Sequence, residues 1–219
     1  MAKEGLTRTI HHSDALAWLE GQATLPDCSI ITSLPDISEF SNLTLSEWKT
    51  WFIKTAALVL SRCPDNGVTI FYQSDIKVES VWIDKSFLIQ KAAEQTGHEL
   101  IAHKIVCRVP AGIETRGRPN YSHLLCFSKG IRPDAKKSSV DVLPTAGKVT
   151  WIRGMGLEAC RLACQFVLDH TNSHTIVDPF CGHGTVLAVA NEMGLNAIGV
   201  EIKAKIVDIA NELSLEVDF

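Results

Sequence analysis

Residues 175–202 read TIVDPFCGHGTVLAVANEMGLNAIGVEI, and this stretch decides the fold. An apolar β-type run, 174–180, carries an acid, Asp178, near its end. Gly182 and Gly184 follow and open a helical run, 184–194, and a second apolar run, 196–202, ends at Glu201. Strand, glycine turn, helix and strand in this order predict an α/β unit with a parallel sheet. In such sheets ligands sit beyond the carboxyl ends of the strands, where this turn lies. Glycines let backbone amides approach a ligand closely, and the start of a helix favours an anionic group. A carboxylate at Glu201, nineteen residues after Gly182, can accept hydrogen bonds from both hydroxyls of a ribose. Together they describe a nucleoside ligand that carries a carboxylate. The third glycine of a dinucleotide fingerprint is absent, with Leu187 in its place, which counts against NAD or FAD.

Outward from this stretch, helical and strand patterns alternate. Strands are expected at 7–12, 28–33, 68–74, 99–110 and 121–130, and helices at 14–21, 86–97, 157–171 and 203–214, with a helical stripe at Trp48, Trp51, Phe52, Thr55 and Val59. Thr44 and Glu47 have capping-box spacing, and Gly97 is placed to end a helix. The strands near 99–128 have no helix between them and should pair antiparallel at one edge. The expectation is a Rossmann-like, mixed but mostly parallel sheet with helices on both faces, in one domain spanning 1–219. Residues 130–153 lack periodicity and read as a long connection.

The 219 residues carry a net charge of −4, so the chain is not a polycation coating nucleic acid. The charge is uneven. Residues 116–153 hold eight Lys and Arg against two Asp, a net +6, which leaves −10 for the rest. Arg116 and Arg118 in this window are candidates for phosphate contacts. The seven cysteines are scattered without a C-x-x-C, as expected of free thiols in a reducing compartment, and Cys160 and Cys164 share an apolar helical face that reads as core. No run is long enough for a membrane span, and residues 1–14 lack an apolar leader core, so a cytoplasmic location is expected. The histidines show no metal-ligand spacing, and no metal is expected.

The D-P-F-C-G-H-G-T stretch with its G-V-E strand resembles the cofactor motif of S-adenosylmethionine-dependent amino-methyltransferases of nucleic acids, with His183 replacing the usual serine. The motif lies late in the chain, downstream of an acid at Asp14 and of S-L-P-D at 33–36. That order is similar to the permuted, beta-class enzymes. The resemblance implies S-adenosyl-L-methionine as cofactor, its methionine part cradled by the loop 181–184, with Phe180 and Thr185 flanking. Cys181, Gly182 and Gly184 would contribute backbone, Asp178 would lie near the amino-acid end, Glu201 would hold the ribose and Asp14 would reach the adenine. Helix 157–168 would lie where the relatives close over the methionine end. It further implies that S-L-P-D stands for the catalytic tetrapeptide S-P-P-Y or D-P-P-Y. Ser33 keeps the polar acceptor, Leu34 a carbonyl and Pro35 the bend, whereas Asp36 replaces the aromatic residue that stacks on the base. Phe40 could supply a stacking face instead. The implied reaction is methylation of an exocyclic amino group. The absence of a target-recognition insertion favours RNA over DNA. The alternatives are a catalytically silent subunit supporting a partner, and a methyltransferase for proteins or small molecules.

Overall fold

The computed structural model describes residues 5–215, so residues 1–4 and 216–219 of the expected domain and leaderless N-terminus lie outside the described residues. Ten strands and six α-helices follow one another as β1 (Arg8–His12), α1 (Ala15–Glu20), β2 (Cys28–Thr32), α2 (Leu45–Arg62), β3 (Thr69–Gln73), β4 (Ile76–Val78), β5 (Val81–Ile83), α3 (Lys85–Thr96), β6 (Glu99–Cys107), β7 (Tyr121–Ser128), β8 (Val142–Leu143), α4 (Leu157–His170), β9 (Thr175–Asp178), α5 (Thr185–Glu192), β10 (Asn196–Glu201) and α6 (Ala204–Glu212). Eight strands form one sheet in the order β1-β10-β9-β2-β3-β7-β6-β8. Only β7 runs against its neighbours β3 and β6. The expected mixed sheet is therefore present. The connection 130–153 is not structureless, because β8 pairs parallel to β6 and covers the outer side of the antiparallel pair.

Alternate residues of the central strands supply two cores. Ile31, Ile70, Leu124 and Ile176 face α4 and α5. Ile30, Phe71, Leu125 and Val177 face α1, α2 and α3. Every residue of β2 is buried, as a strand covered on both faces requires. Cys160 and Cys164 lie in the first core, and burial pushes the Cys164 thiol up to about 12, consistent with packing rather than reactivity.

Local signals set the helix ends. Thr44 Oγ1 accepts from Glu47 N, and Glu47 Oε2 accepts from Thr44 N at 2.9 Å, closing the capping box of α2. Gly97 ends α3 in the left-handed region, φ 70°. The hairpin β4–β5 carries no such signal. Its two turn residues, Glu79 and Ser80, both take positive φ (50° and 65°), where Asn-Gly would have announced the turn.

Candidate active site

The chain leaves β2 toward β3 on one side and β9 toward β10 on the other, so the carboxyl ends of β2 and β9 flank the switch point of the sheet. S-L-P-D begins directly after β2 and the glycine loop directly after β9. One hydrogen bond joins the two strand ends: Thr32 Oγ1 donates to Asp178 Oδ1 at 2.7 Å. Phe180 N donates to the same oxygen at 3.1 Å. Burial pushes the Asp178 carboxyl up to about 7 against these two bonds, and the nearby Glu201 adds to the rise.

In the glycine loop, Gly182 and Gly184 have φ of 50° and 81°, a region that favours glycine. A Cβ on Gly184 would also stand about 3.0 Å from Ala210 Cβ, so bare backbone is needed there twice over. Gly184 N donates to Cys181 O at 2.8 Å, and Cys181 N to Val200 O at 3.2 Å. Glu201 ends β10 beside His12 of β1, and its Oε1 accepts from Lys203 N at 2.8 Å. Asp14 caps α1 by accepting from Ala17 N at 2.9 Å, and the preceding Ser13 N donates to Glu201 O. Asp14 and Glu201 thus lie at the same end of the sheet. Neither lines the two cavities described next.

Residues 150–155, immediately before α4, cross over the glycine loop as a strap. The Trp151 ring stacks on His183, centroids 4.4 Å apart and planes 11° apart. Its edge faces Gly182, and Thr150 Oγ1 lies 2.5 Å from Thr185 Oγ1. Beneath the strap is a cavity of about 40 Å³ lined by Thr32, Ser33, Trp151, Met155, Asp178 and Phe180 among others. The strap, not helix 157–168, lines this cavity, and the helix packs into the core. The sequence offers no periodicity from which to find the strap.

A second cavity, of about 360 Å³, opens beyond β2 and β3 and is lined by Ser33, Leu34, Asp36, Gln73, Lys85 and Arg118 with others. Asp36 forms an ion pair with Lys85, whose side chain is only 3% exposed. Burial pushes the Lys85 ammonium down, and Asp36 partly restores it. Gln73 Nε2 donates to Leu34 O at 3.3 Å, and Trp48 Nε1 donates to Pro35 O at 3.3 Å. The tetrapeptide is thereby fixed by its own carbonyls. Glu39 ties it to the strap: Oε1 accepts from Asp36 N at 3.1 Å, while Oε2 lies 3.3 Å from Arg153 Nη1.

Two expectations need correction. Phe40 does not face the cavity. A short 3-10 turn, Ile37–Glu39, redirects it onto Trp51, with centroids 4.6 Å apart. The basic window is not one patch. Arg118 and Arg153 line the larger cavity, joined by Arg108 from outside the window, and Arg116 does not. Arg132 pairs with Glu99 at the start of β6, and Lys137 Nζ donates to Asp169 O near the end of α4, both at the opposite end of the sheet.

Asp75, Asp84 and His123 come within 4.8 Å of one another, a grouping invisible in sequence spacing. Their atoms already have partners: Asp75 Oδ1 accepts from Lys85 N at 2.9 Å, Asp75 Oδ2 meets His123 Nε2 at 3.1 Å, and Asp84 Oδ1 caps α3 through Phe87 N. Among the described residues, no helix is long and apolar enough to cross a membrane.

Known proteins share this fold. A family model described as DNA methylase matches residues 161–212, from α4 into α6. No curated protein sequence matches the chain. The protein TTHA0409 of Thermus thermophilus, solved with S-adenosyl-L-methionine, is similar at TM-score 0.71 and 16% identity, over 94% of this chain and 92% of that one. The PvuII DNA methyltransferase, cytosine-N4-specific, is similar at 0.70 and 17%, over 97% and 88%. The M1.HpyAVI protein in complex with SAM is similar at 0.63 and 17%, over 94% and 98%. At these identities the likeness is one of fold, and this chain has the fold of those methyltransferases.

Proposed function

We propose that this protein is an S-adenosylmethionine-dependent methyltransferase acting on an exocyclic amino group of a nucleic-acid base, with RNA as the substrate class. The observation that carries the reading is the juxtaposition at the switch point, where S-L-P-D and D-P-F-C-G-H-G are joined through Thr32 and Asp178. The residues fit the cofactor. Positive-φ glycines leave the loop backbone bare, and two carboxylates stand at adjacent strand ends, Asp178 buried and Glu201 partly exposed. Asp178 and the loop 181–184 would hold the amino-acid end, with Phe180 and Thr185 flanking, and Glu201 and Asp14 the nucleoside end.

When bound, S-adenosylmethionine supplies an electrophilic sulfonium methyl. The chain's own residues supply position. Ser33 Oγ and Leu34 O accept the hydrogens of the target amine and turn its lone pair toward the methyl. One lone pair of Leu34 O is engaged by Gln73, which leaves the other. Transfer would form the nitrogen–carbon bond as the methyl–sulfur bond breaks, its electron pair staying on a neutral thioether, and the amine would give up one proton, which the Asp36 carboxylate, the basic group of the tetrapeptide, would accept.

The reading as RNA rests on the small rim around the larger cavity. It includes the three-residue strand β4 and the loop carrying Arg118. Shape recognition of a folded strand suits such a rim. Labelled S-adenosylmethionine incubated with total RNA, DNA or protein tests the whole proposal. Transfer to RNA supports it, transfer to DNA corrects the substrate, and binding without transfer to any of them leaves a silent cofactor-binding subunit. The Asp36–Lys85 pair, filling the place of the relatives' aromatic residue, is the feature that favours that second reading.

Two expected results belong here. Glu201→Ala removes a charged acceptor worth about 1.5–3 kcal/mol, so cofactor affinity by calorimetry should fall roughly tenfold or more. Unchanged affinity in the folded variant would remove the ribose assignment. Charge reversal at Arg118 should weaken RNA binding and lower its salt dependence by about one phosphate contact, whereas reversal at Arg116, away from the cavity, should do less. Equal losses for both would mean that a diffuse field, not the cavity rim, holds the strand.

A further inference from the structure

We infer that Lys85 reads the ring edge of the target base, by donating a hydrogen bond to the ring nitrogen beside the target amine. The inference rests on the proposed function and deepens it. Lys85 is the first residue of α3 and lies far from either motif in sequence. Its backbone N is fixed on Asp75 Oδ1 at 2.9 Å, and its side chain passes inward beneath the cavity, with Nζ over the Trp48 ring at 6.0 Å. An ammonium has three N–H groups. One meets Asp36, and one is directed at Gln73 Oε1, 3.5 Å away. Among the described residues the third has no partner.

Gln73 fixes the order of the polar groups. With Nε2 on Leu34 O and Oε1 toward Lys85, it links the carbonyl that would take the amine to the cation. The cavity thus presents an acceptor at Leu34, a donor at Lys85 and an acceptor at Asp36, side by side. An aromatic residue after the proline would grip a base by its face. This arrangement grips a base by its edge. In cytosine, adenine and guanine alike, the carbon bearing the exocyclic amine also carries a ring nitrogen. Where that nitrogen is unprotonated it is an acceptor, and the free N–H of Lys85 complements it. A lysine kept almost wholly buried merely to hold a turn would be an expensive choice, since a well-packed apolar residue in its place is often at least as stabilising.

The test uses the full chain. The nucleoside methylated in total RNA or DNA is first identified by digestion and mass spectrometry. An oligonucleotide carrying that base is then compared with one carrying its deaza analogue, in which C–H replaces the neighbouring ring nitrogen. Wild type should transfer to the analogue roughly ten- to a hundredfold more slowly in kcat/KM. Lys85→Met should be slow on both and distinguish them less than about twofold, with cofactor affinity unchanged. Lys85→Arg, which keeps a donor, should retain part of the discrimination. Full discrimination in Lys85→Met overturns the inference and returns the lysine to a structural role. If Lys85→Met fails to fold, the double variant Lys85→Met/Asp36→Asn removes both charges and must show the same loss of discrimination. Wild type that binds cofactor yet transfers to no nucleic acid overturns the methyltransferase reading itself, a separate outcome.

Discussion

Asp178→Asn is expected to stabilise the cofactor-free protein above neutral pH and to abolish cofactor binding. In the folded chain this carboxyl titrates at about 7, against about 3.9 for an unperturbed aspartate. Between those values the folded state holds a proton that the unfolded state has lost. Stability contributed by the neutral acid is therefore complete below about pH 4 and is lost as pH rises toward 7. The gap between the two values corresponds to about 4 kcal/mol at most. Asparagine never ionises, and its carbonyl can keep both bonds, from Thr32 Oγ1 and Phe180 N, because both end on the same oxygen. Urea titrations at about pH 4.5 and about pH 8 should show wild type losing stability with pH while the variant holds. Parallel pH dependence in the two proteins would mean that this carboxyl does not carry the effect. The loss of cofactor affinity would follow because an amino group of the ligand needs the anion, so the residue trades stability for binding.

Asp36→Asn is expected to cut single-turnover methylation by about a hundredfold while leaving cofactor affinity intact, since small errors in positioning carry penalties of that order. It also strands the Lys85 ammonium. Breaking a fully buried pair costs about 3–5 kcal/mol. Asp36 is 38% exposed and water shares its load, so a smaller loss, on the order of 1–2 kcal/mol, is expected. Asp36→Tyr restores the aromatic of the relatives but should not restore activity, because Lys85 and Gln73 occupy the space below. Single-turnover rates beside calorimetry for both variants decide the matter. Full activity in Asp36→Asn would make the last letter of S-L-P-D only a turn.

Legibility in the sequence follows locality. Residues 175–202 can be read because strand, positive-φ glycines and helix follow one another without tertiary help. The all-buried β2 can be read for the same reason. Lys85 cannot, because a lysine at the first position of a helix looks like any solvated side chain until β3 and S-L-P-D close around it. Trp151 is hidden in a segment whose shape comes only from the loop beneath it. Phe40 departs from its expected place because one short turn rotates it onto α2. The basic window misleads in another way. The chain runs the length of the sheet along β7 within that window, so charges adjacent in sequence end at opposite ends of the molecule.

The strap over the glycine loop bears on the rhythm of catalysis. The space beneath it, about 40 Å³, has room for a few water molecules at most. A larger group there would press on Trp151, which stacks on His183, and the same strap carries Arg153, paired with Glu39, the carboxylate that also accepts from Asp36 N. On the proposed function, arrival of the methyl donor and loosening of the base-reading turn would be coupled through that contact. The Arg153–Glu39 clasp is exposed and weakens in salt, which would speed exchange, while the grip on a polyanion weakens in the same salt. Turnover and substrate capture would respond to ionic strength in opposite directions, with the fastest cycling at an intermediate concentration.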